Sequence, residues 1–226
     1  MKSFCFSALF LLLFQCVPIQ SYAAKNNRSA IDKDSIRTIA SKKLSIALDS
    51  SFPRITQYNW IANGTVFYGQ EDKLSQVLIN GKPYTPKSSF SLLRNEANYR
   101  LDLPEINVMV KIQIKVIANI VEFNVTQIEE KGTFKVSTFE IPNHNLLSVR
   151  STQKGASFAG AKMFTAVKGT GDIFVPLTAT AAKDSIAKGY LYGIVNNDQL
   201  AASIWSNSTG EKSDDDRVLK QTIKKE

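Results

Sequence analysis

Residues 107–128, NVMVKIQIKVIANIVEFNVTQI, decide the fold class. Val108, Val110, Ile112, Ile114 and Val116 alternate with Lys111, Gln113 and Lys115. Successive side chains of an extended chain point to opposite faces, so this spacing makes one apolar and one polar face; a helix would scatter both sets around its circumference. After Ala118-Asn119 the apolar parity switches to Val121, Phe123 and Val125, opposite Glu122, Asn124 and Thr126. A two-residue loop that reverses the chain produces such a switch, so a tight hairpin is predicted there.

Working outward, Leu44, Ile46 and Leu48 alternate with Lys43, Ser45 and Ala47, a second half-buried strand. The stretch 52–86 reads as consecutive short strands punctuated by Asn63-Gly64 and Asn80-Gly81 turns. Further strands are predicted over 133–141, 146–151 and 172–178, and the runs 190–195 and 200–205 flank a second hairpin at Asn196-Asn197-Asp198. No convincing amphipathic helix interrupts these strands, which excludes the helix-strand alternation of an α/β enzyme. The fold class expected is all-β, a large antiparallel β-sandwich in a single domain.

Residues 1–23 read as a secretory signal peptide: Lys2 precedes an apolar run over 4–14 too short to span a bilayer, and Ser21-Tyr22-Ala23 offers small residues before a cleavage point at Ala24. The protein is therefore expected to be exported, with no membrane span after cleavage. Cys5 and Cys16 both lie in this segment, so the mature chain has no thiol for a disulfide or a thiolate metal site. Its roughly 200 residues suffice for a substantial core. Residues 24–41 read as a polar lead-in, 42–208 as the sandwich domain and 209–226 as a polar tail or the start of a linker. The formal charge of +8 is spread as single Lys and Arg residues. That distribution argues against nucleic acid and leaves a weak attraction to anionic surfaces or acidic glycans.

Several segments carry a resemblance: Phe52-Pro53-Arg54-Ile55-Thr56-Gln57-Tyr58, Tyr68-Gly69-Gln70, Ile79-Asn80-Gly81-Lys82-Pro83-Tyr84-Thr85-Pro86, 138–149 and 200–208. In this order and spacing they resemble the N-terminal, galactose-mutarotase-like β-sandwich domain of the endo-α-N-acetylgalactosaminidases, glycoside hydrolase family 101. The resemblance implies a supersandwich of two broad sheets. It also implies a setting, since that family removes the Gal-β1,3-GalNAc disaccharide from Ser or Thr of mucin-type glycoproteins with retention. Such chemistry needs two carboxylates about 5 to 5.5 Å apart. In the family both come from a following catalytic barrel, and this sequence ends at Glu226 with no segment that corresponds to it. No catalytic residue is carried over.

The expected role is therefore an exported, non-catalytic module that acts as an accessory or carbohydrate-contacting domain in O-glycan degradation. Its partners would be a glycosidase barrel or a separate catalytic chain, and O-linked glycans; no cofactor or metal is implied. Aromatic faces of Tyr58, Trp60, Tyr68, Tyr84 and Trp205 can lie against sugar C–H surfaces, with Arg54, Gln57, Gln70 and Asn207 binding hydroxyls. From these, Trp60, Tyr68, Trp205, Asn207 and Arg54 are the candidate carbohydrate-binding residues. The competing and preferred reading is that the aromatics pack the sandwich or a domain junction. Glu122, Glu140, Asp102 and Asp172 read as solvated strand carboxylates. His144, the one histidine, reads as a locally bonded turn residue, which weakens a sugar epimerase reading that needs a His and carboxylate team. A free-standing glycan-binding protein is the main alternative.

Overall fold

The computed structural model describes residues 35–150, 152–162, 172–176, 185–205 and 219–223. In chain order the strands are β1 (Ile36–Ala40), β2 (Leu44–Asp49), β3 (Ile55–Trp60), β4 (Thr65–Tyr68), β5 (Val77–Ile79), β6 (Lys82–Tyr84), β7 (Lys87–Leu93) and β8 (Glu96–Leu103). They continue with β9 (Val108–Ile117), β10 (Ile120–Glu130), β11 (Phe139–Glu140), β12 (Ser157–Lys162), β13 (Asp172–Pro176), β14 (Ser185–Asn196), β15 (Ala201–Trp205) and β16 (Leu219–Ile223). No α-helix occurs among the described residues. Every strand pair among the described residues is antiparallel, so the fold is an all-β sandwich.

Two four-stranded sheets, β1-β2-β3-β4 and β10-β9-β8-β7, supply most of the core. The alternation over 107–116 has its predicted consequence: Val108, Val110, Ile112, Ile114 and Val116 are buried, and Lys111 is exposed on the other face. Ala97, Tyr99, Leu101 and Leu103 of β8 join them, facing Ile39, Leu44, Ile46, Leu48 and Ile55 from the first sheet. Burying such a row stabilises the fold by roughly 1.5–3 kcal/mol per large side chain. A small sheet, β11-β5-β6, adds Val77 and Ile79, and β13-β12-β14-β15 with β16 beside β14 forms the fourth.

The predicted turns are present. Ile117 pairs with Ile120 across Ala118-Asn119, with Ala118 at φ 52°. Ile79 pairs with Lys82 across Asn80 (φ 51°) and Gly81 (φ 75°), the two positive φ values a type I′ hairpin requires. Val125 sits on the buried-face parity yet is exposed, because β10 is an edge strand and a bulge interrupts its pairing with β9 between Val125 and Gln127.

Four expectations need correction. The strand predicted over 133–141 shrinks to β11, because side chains replace the neighbouring strand. Asn80 Oδ1 accepts from the amides of Ser137 (2.7 Å) and Thr138 (3.1 Å), and a Glu130 oxygen accepts from that of Val136 (2.8 Å). The strand predicted over 146–151 reduces to one bridge between Tyr68 and Ser148. The segment read as a lead-in contains β1, whose Ile39 enters the core. The segment read as a tail contains β16, paired with β14. The signal-peptide reading, with Cys5 and Cys16, lies outside the described residues.

Gly69 follows β4 directly, alongside β3, and its amide bonds Thr56 O at 3.1 Å while Gln70 N bonds Ile55 O at 2.7 Å. A Cβ at Gly69 would collide with the Ile55 carbonyl, a backbone group that cannot swing aside. Gly69→Ala should therefore destabilise the domain by roughly 2–3 kcal/mol, read as a lowered urea midpoint. Gly81→Ala, which meets open space and bears only the strain of its φ, should lose less.

Candidate functional site

Asp49 closes β2, and the next residues turn so that Arg54 folds back beneath it. Arg54 is fully buried. Its Nε donates to Asp49 Oδ2 at 2.8 Å, and Nη2 lies 2.7 Å from the same oxygen but off its hydrogen-bonding direction, so that second contact is coulombic. Nη1 donates to the carbonyls of Gln70 (3.3 Å), Glu71 (2.8 Å) and Asp72 (2.5 Å). Tyr99 O–H donates to Asp49 O at 2.7 Å, which ties the second sheet to the knot. Burial pushes the Asp49 carboxyl up, but the Ser51 hydroxyl and amide, then Arg54, outweigh it and hold the carboxyl below its ordinary value. Arg54 is thus a brace, and its candidacy for sugar contact is corrected: no surface of it meets solvent.

The segments that carried the resemblance meet around this brace. Gln70 is buried; its Oε1 accepts from Asn145 N at 2.7 Å and its Nε2 donates to Asp72 O at 3.2 Å. Asn145 Nδ2 donates to Gly69 O at 2.9 Å, and Tyr58 O–H donates to Leu146 O at 2.5 Å. Tyr58 thus takes up a carbonyl that a strand over 146–151 would have paired. Tyr68 and Ser148 exchange backbone bonds of 3.0 and 2.7 Å.

Trp60, Tyr58 and Tyr84 are half-buried and packed on the core. Tyr68 is half-buried, with the Arg150 guanidinium 3.8 Å above its ring and Arg150 in turn 2.5 Å from Glu71. A sugar would have to displace that cation to stack there. Trp205 closes β15, where its side chain, like the whole of Asn207, lies outside the described residues. Trp60, Tyr68 and Arg54 therefore form no shared platform.

His144 lies edge-on to Phe123 with ring centroids 5.4 Å apart. Burial, then the nearby Arg54 charge, lowers its pKa to about 4, so at neutral pH it is an uncharged packing group and not the locally bonded turn residue expected. Glu122 and Glu140 are exposed, as predicted for solvated carboxylates. Asp102 accepts two 2.8 Å bonds from Arg100, which holds its carboxyl below the ordinary range and makes it a weak proton donor or acceptor near pH 7.

Open hydrogen-bonding groups gather elsewhere. The outward face of β7–β10 carries a shallow depression of about 250 Å³ lined by Ser89, Ser91, Asn98, Arg100, Lys111 and Thr126. Cross-strand register places Ser89, Arg100 and Lys111 in one row, and Ser91, Asn98 and Gln113 in the next. Arg100 is held by Asp102 and the Thr126 hydroxyl donates to the Lys111 carbonyl, which leaves the exposed Ser89 and Ser91 hydroxyls and the Lys111 ammonium to bind a hydroxylated ligand by hydrogen bonds. A larger cavity of about 520 Å³ lies by Thr65, Gln153, Lys154, Asp198 and Gln199. Its polar groups are mostly engaged with one another, as in Thr65–Gln199 at 2.7 Å and Lys154–Asp198 at 2.9 Å. The sequence held the signal for the first depression, since outward strand positions filled by Ser and Asn are less usual than charges; aromatic residues drew attention away from it.

Arg54→Met should destabilise the domain by about 3–5 kcal/mol, because it strands the Asp49 carboxylate and the inward carbonyls; denaturant melts check this. Asp49, with its folded pKa depressed, contributes stability at neutral pH that is lost as pH falls through the acid range below about 4. His144 is also depressed in the folded state but acts at higher pH. The unfolded chain takes up its proton first, so stability falls between about 6.5 and about 4. His144→Gln should remove about 2 kcal/mol of the loss between pH 7 and pH 4.5, measured against wild type. An unchanged pH slope would contradict the buried neutral ring.

Comparison with known proteins agrees with the fold. A protein of Renibacterium salmoninarum whose provisional name is endo-alpha-N-acetylgalactosaminidase is 27% identical over 173 residues, 76% of this chain. The chain spans 12% of that relative's length. Residues 39–226 match the family model described as a galactose mutarotase-like fold domain, which takes in β16 and thus the segment read as a tail. The chain belongs to the galactose mutarotase-like fold domain family.

Proposed function

We propose that this protein is an exported, non-catalytic accessory domain that contacts carbohydrate during degradation of mucin-type O-glycans. The observation that carries the reading is the likeness to a relative named for cleaving an α-linked N-acetylgalactosamine, confined to 12% of that relative's length. A match so restricted favours a module that serves the chemistry of another domain, whether on the same polypeptide or a separate one. Support comes from the groups described above. His144 is packed and neutral, Asp102 is held by Arg100, and Glu122 and Glu140 are single solvated carboxylates. The retaining mechanism needs a facing pair about 5 to 5.5 Å apart. Export rests on the presequence reading of residues 1–23.

Of the described surface, the β7–β10 depression best suits a glycan, because Ser89, Ser91 and Lys111 face solvent around the half-buried Asn98 on a rigid sheet. Phe90 and Tyr99 also line the depression but are packed on the core, so without an exposed aromatic platform the affinity should be weak, with Kd on the order of 1 mM. Titration of the Gal-β1,3-GalNAc disaccharide and of an O-glycosylated peptide, followed by amide chemical shifts, should show saturable changes at Ser89, Asn98 and Lys111. Asn98→Ala with Lys111→Ala should weaken binding at least tenfold while stability changes by no more than about 0.5 kcal/mol. Aryl glycosides of the same disaccharide should remain uncleaved. Turnover that survives purification would sink the non-catalytic reading, and shifts confined to Tyr68 or Trp205 would move the contact to the aromatic residues.

A further inference from the structure

From the gathering of exposed apolar hairpin tips and cations at one end of the sandwich, we infer that this end docks on an anionic phospholipid surface. Register fixes the geometry. Leu93 pairs with Glu96, Glu96 with Lys115 and Ile117 with Ile120, so the β7–β8 and β9–β10 turns lie at the same end of their sheet. Val116 N bonds Asn95 O at 3.0 Å, which locks the two turns together. Ser41 Oγ bonds the Ala118 carbonyl, bringing the β1–β2 turn to that end, and Ile61 N bonds Lys43 O at 2.9 Å, adding the β3–β4 turn.

Four turns thus converge, and each presents something unusual for a solvated loop. Leu93 is 63% exposed, Ile120 53%, Ile61 47% and Ile117 42%. Lys42, Lys43 and Arg94 stand beside them, all exposed and without a carboxylate partner among the described residues. Of the acids nearest the tips, Glu96 is paired with Lys115 at 3.0 Å, and Glu122, across Lys115 in the same row, is exposed and is outnumbered by Lys42, Lys43 and Arg94. Apolar side chains on separate tips, ringed by unpaired cations, match the layering of an anionic bilayer: acyl chains take the Leu and Ile side chains while headgroup phosphates meet Lys and Arg. A protein partner would need a complementary shape. The first depression lies away from these tips and the second touches only Gly64 of the β3–β4 turn, so neither joins the apolar side chains, whereas a fluid headgroup layer accommodates discrete side chains without a groove.

Site-specific insertion tests this in the full chain, because a position-specific readout is insensitive to anchoring by the apolar run over 4–14. Leu93→Trp and, separately, Ile120→Trp place a reporter on two independent tips, and Glu105→Trp places one at the opposite end, in the β8–β9 turn. Vesicles of about 30% brominated phosphatidylglycerol in phosphatidylcholine should quench both tip reporters at least twofold above the Trp60 and Trp205 background and leave Glu105→Trp unquenched. Quenching should fall severalfold between about 0.1 M and about 0.5 M salt, and with Lys42→Gln plus Lys43→Gln. Tip reporters that stay in water, or quench no more than Glu105→Trp, overturn the proposal. A dimer in sedimentation that Leu93→Ser dissolves would overturn it too and assign this end to a second copy of the chain.

Discussion

The buried pairing of Asp49 with Arg54 is the constraint on which the rest of this sandwich depends. Isolated ion pairs in a core are rarely a net gain, since desolvating both charges costs several kcal/mol and apolar replacements often do as well. Here the guanidinium has a second task. The strap over 70–72 crosses the open end of the first sheet with its carbonyls turned inward, and Arg54 Nη1 meets all three. An apolar pair would leave those carbonyls without donors in a dry site. Arginine suits the position because its rigid fork presents several donors in one plane, a geometry that a lysine ammonium cannot copy. Tyr99 extends the same knot to β8, so strand pairing in one sheet is registered against the other through Asp49.

That arrangement changes what the likeness to sugar-cleaving relatives means. The segments around Arg54, Gln70 and Asn145 carried the resemblance in the sequence, and they are the ones that lock each other in place. Their side chains are committed to one another and to backbone groups, so they define a fold. Among the described residues, exposed polar side chains gather on the outward face of β7–β10.

How much was legible follows from the range of each signal. Strand β9 and its hairpin could be read because alternation and turn chemistry are local, and Val108 to Val116 face the core as their spacing requires. The segment over 133–141 misled because its β-branched residues suit a strand, while the decisive partners, Asn80 and Glu130, are remote or of another kind. β1 was hidden among charges: only Ile39 is fully buried, and an edge strand with one core residue has almost no periodic signature. Arg54 was misplaced for a similar reason. A lone arginine between Pro53 and Ile55 looks like a surface residue until the 70–72 carbonyls are brought to it by the fold.

The two open surfaces complement each other physically. A polar sheet face without a stacked aromatic holds a sugar weakly, and weak binding becomes useful only when the ligand is held nearby at high effective concentration. Seating the Leu93, Ile117 and Ile120 tips on a lipid surface would supply that condition. The turns lie at strand ends and the depression lies on the flank of the same sheet, so docking through the first leaves the second facing sideways into the layer above the membrane. A rigid four-stranded sheet fixes the angle between them, with no linker to relax. The effective concentration would then depend on the density of glycans within reach of that flank, and lengthening the β9–β10 turn would lower it by letting the domain tilt, without touching a residue of the depression.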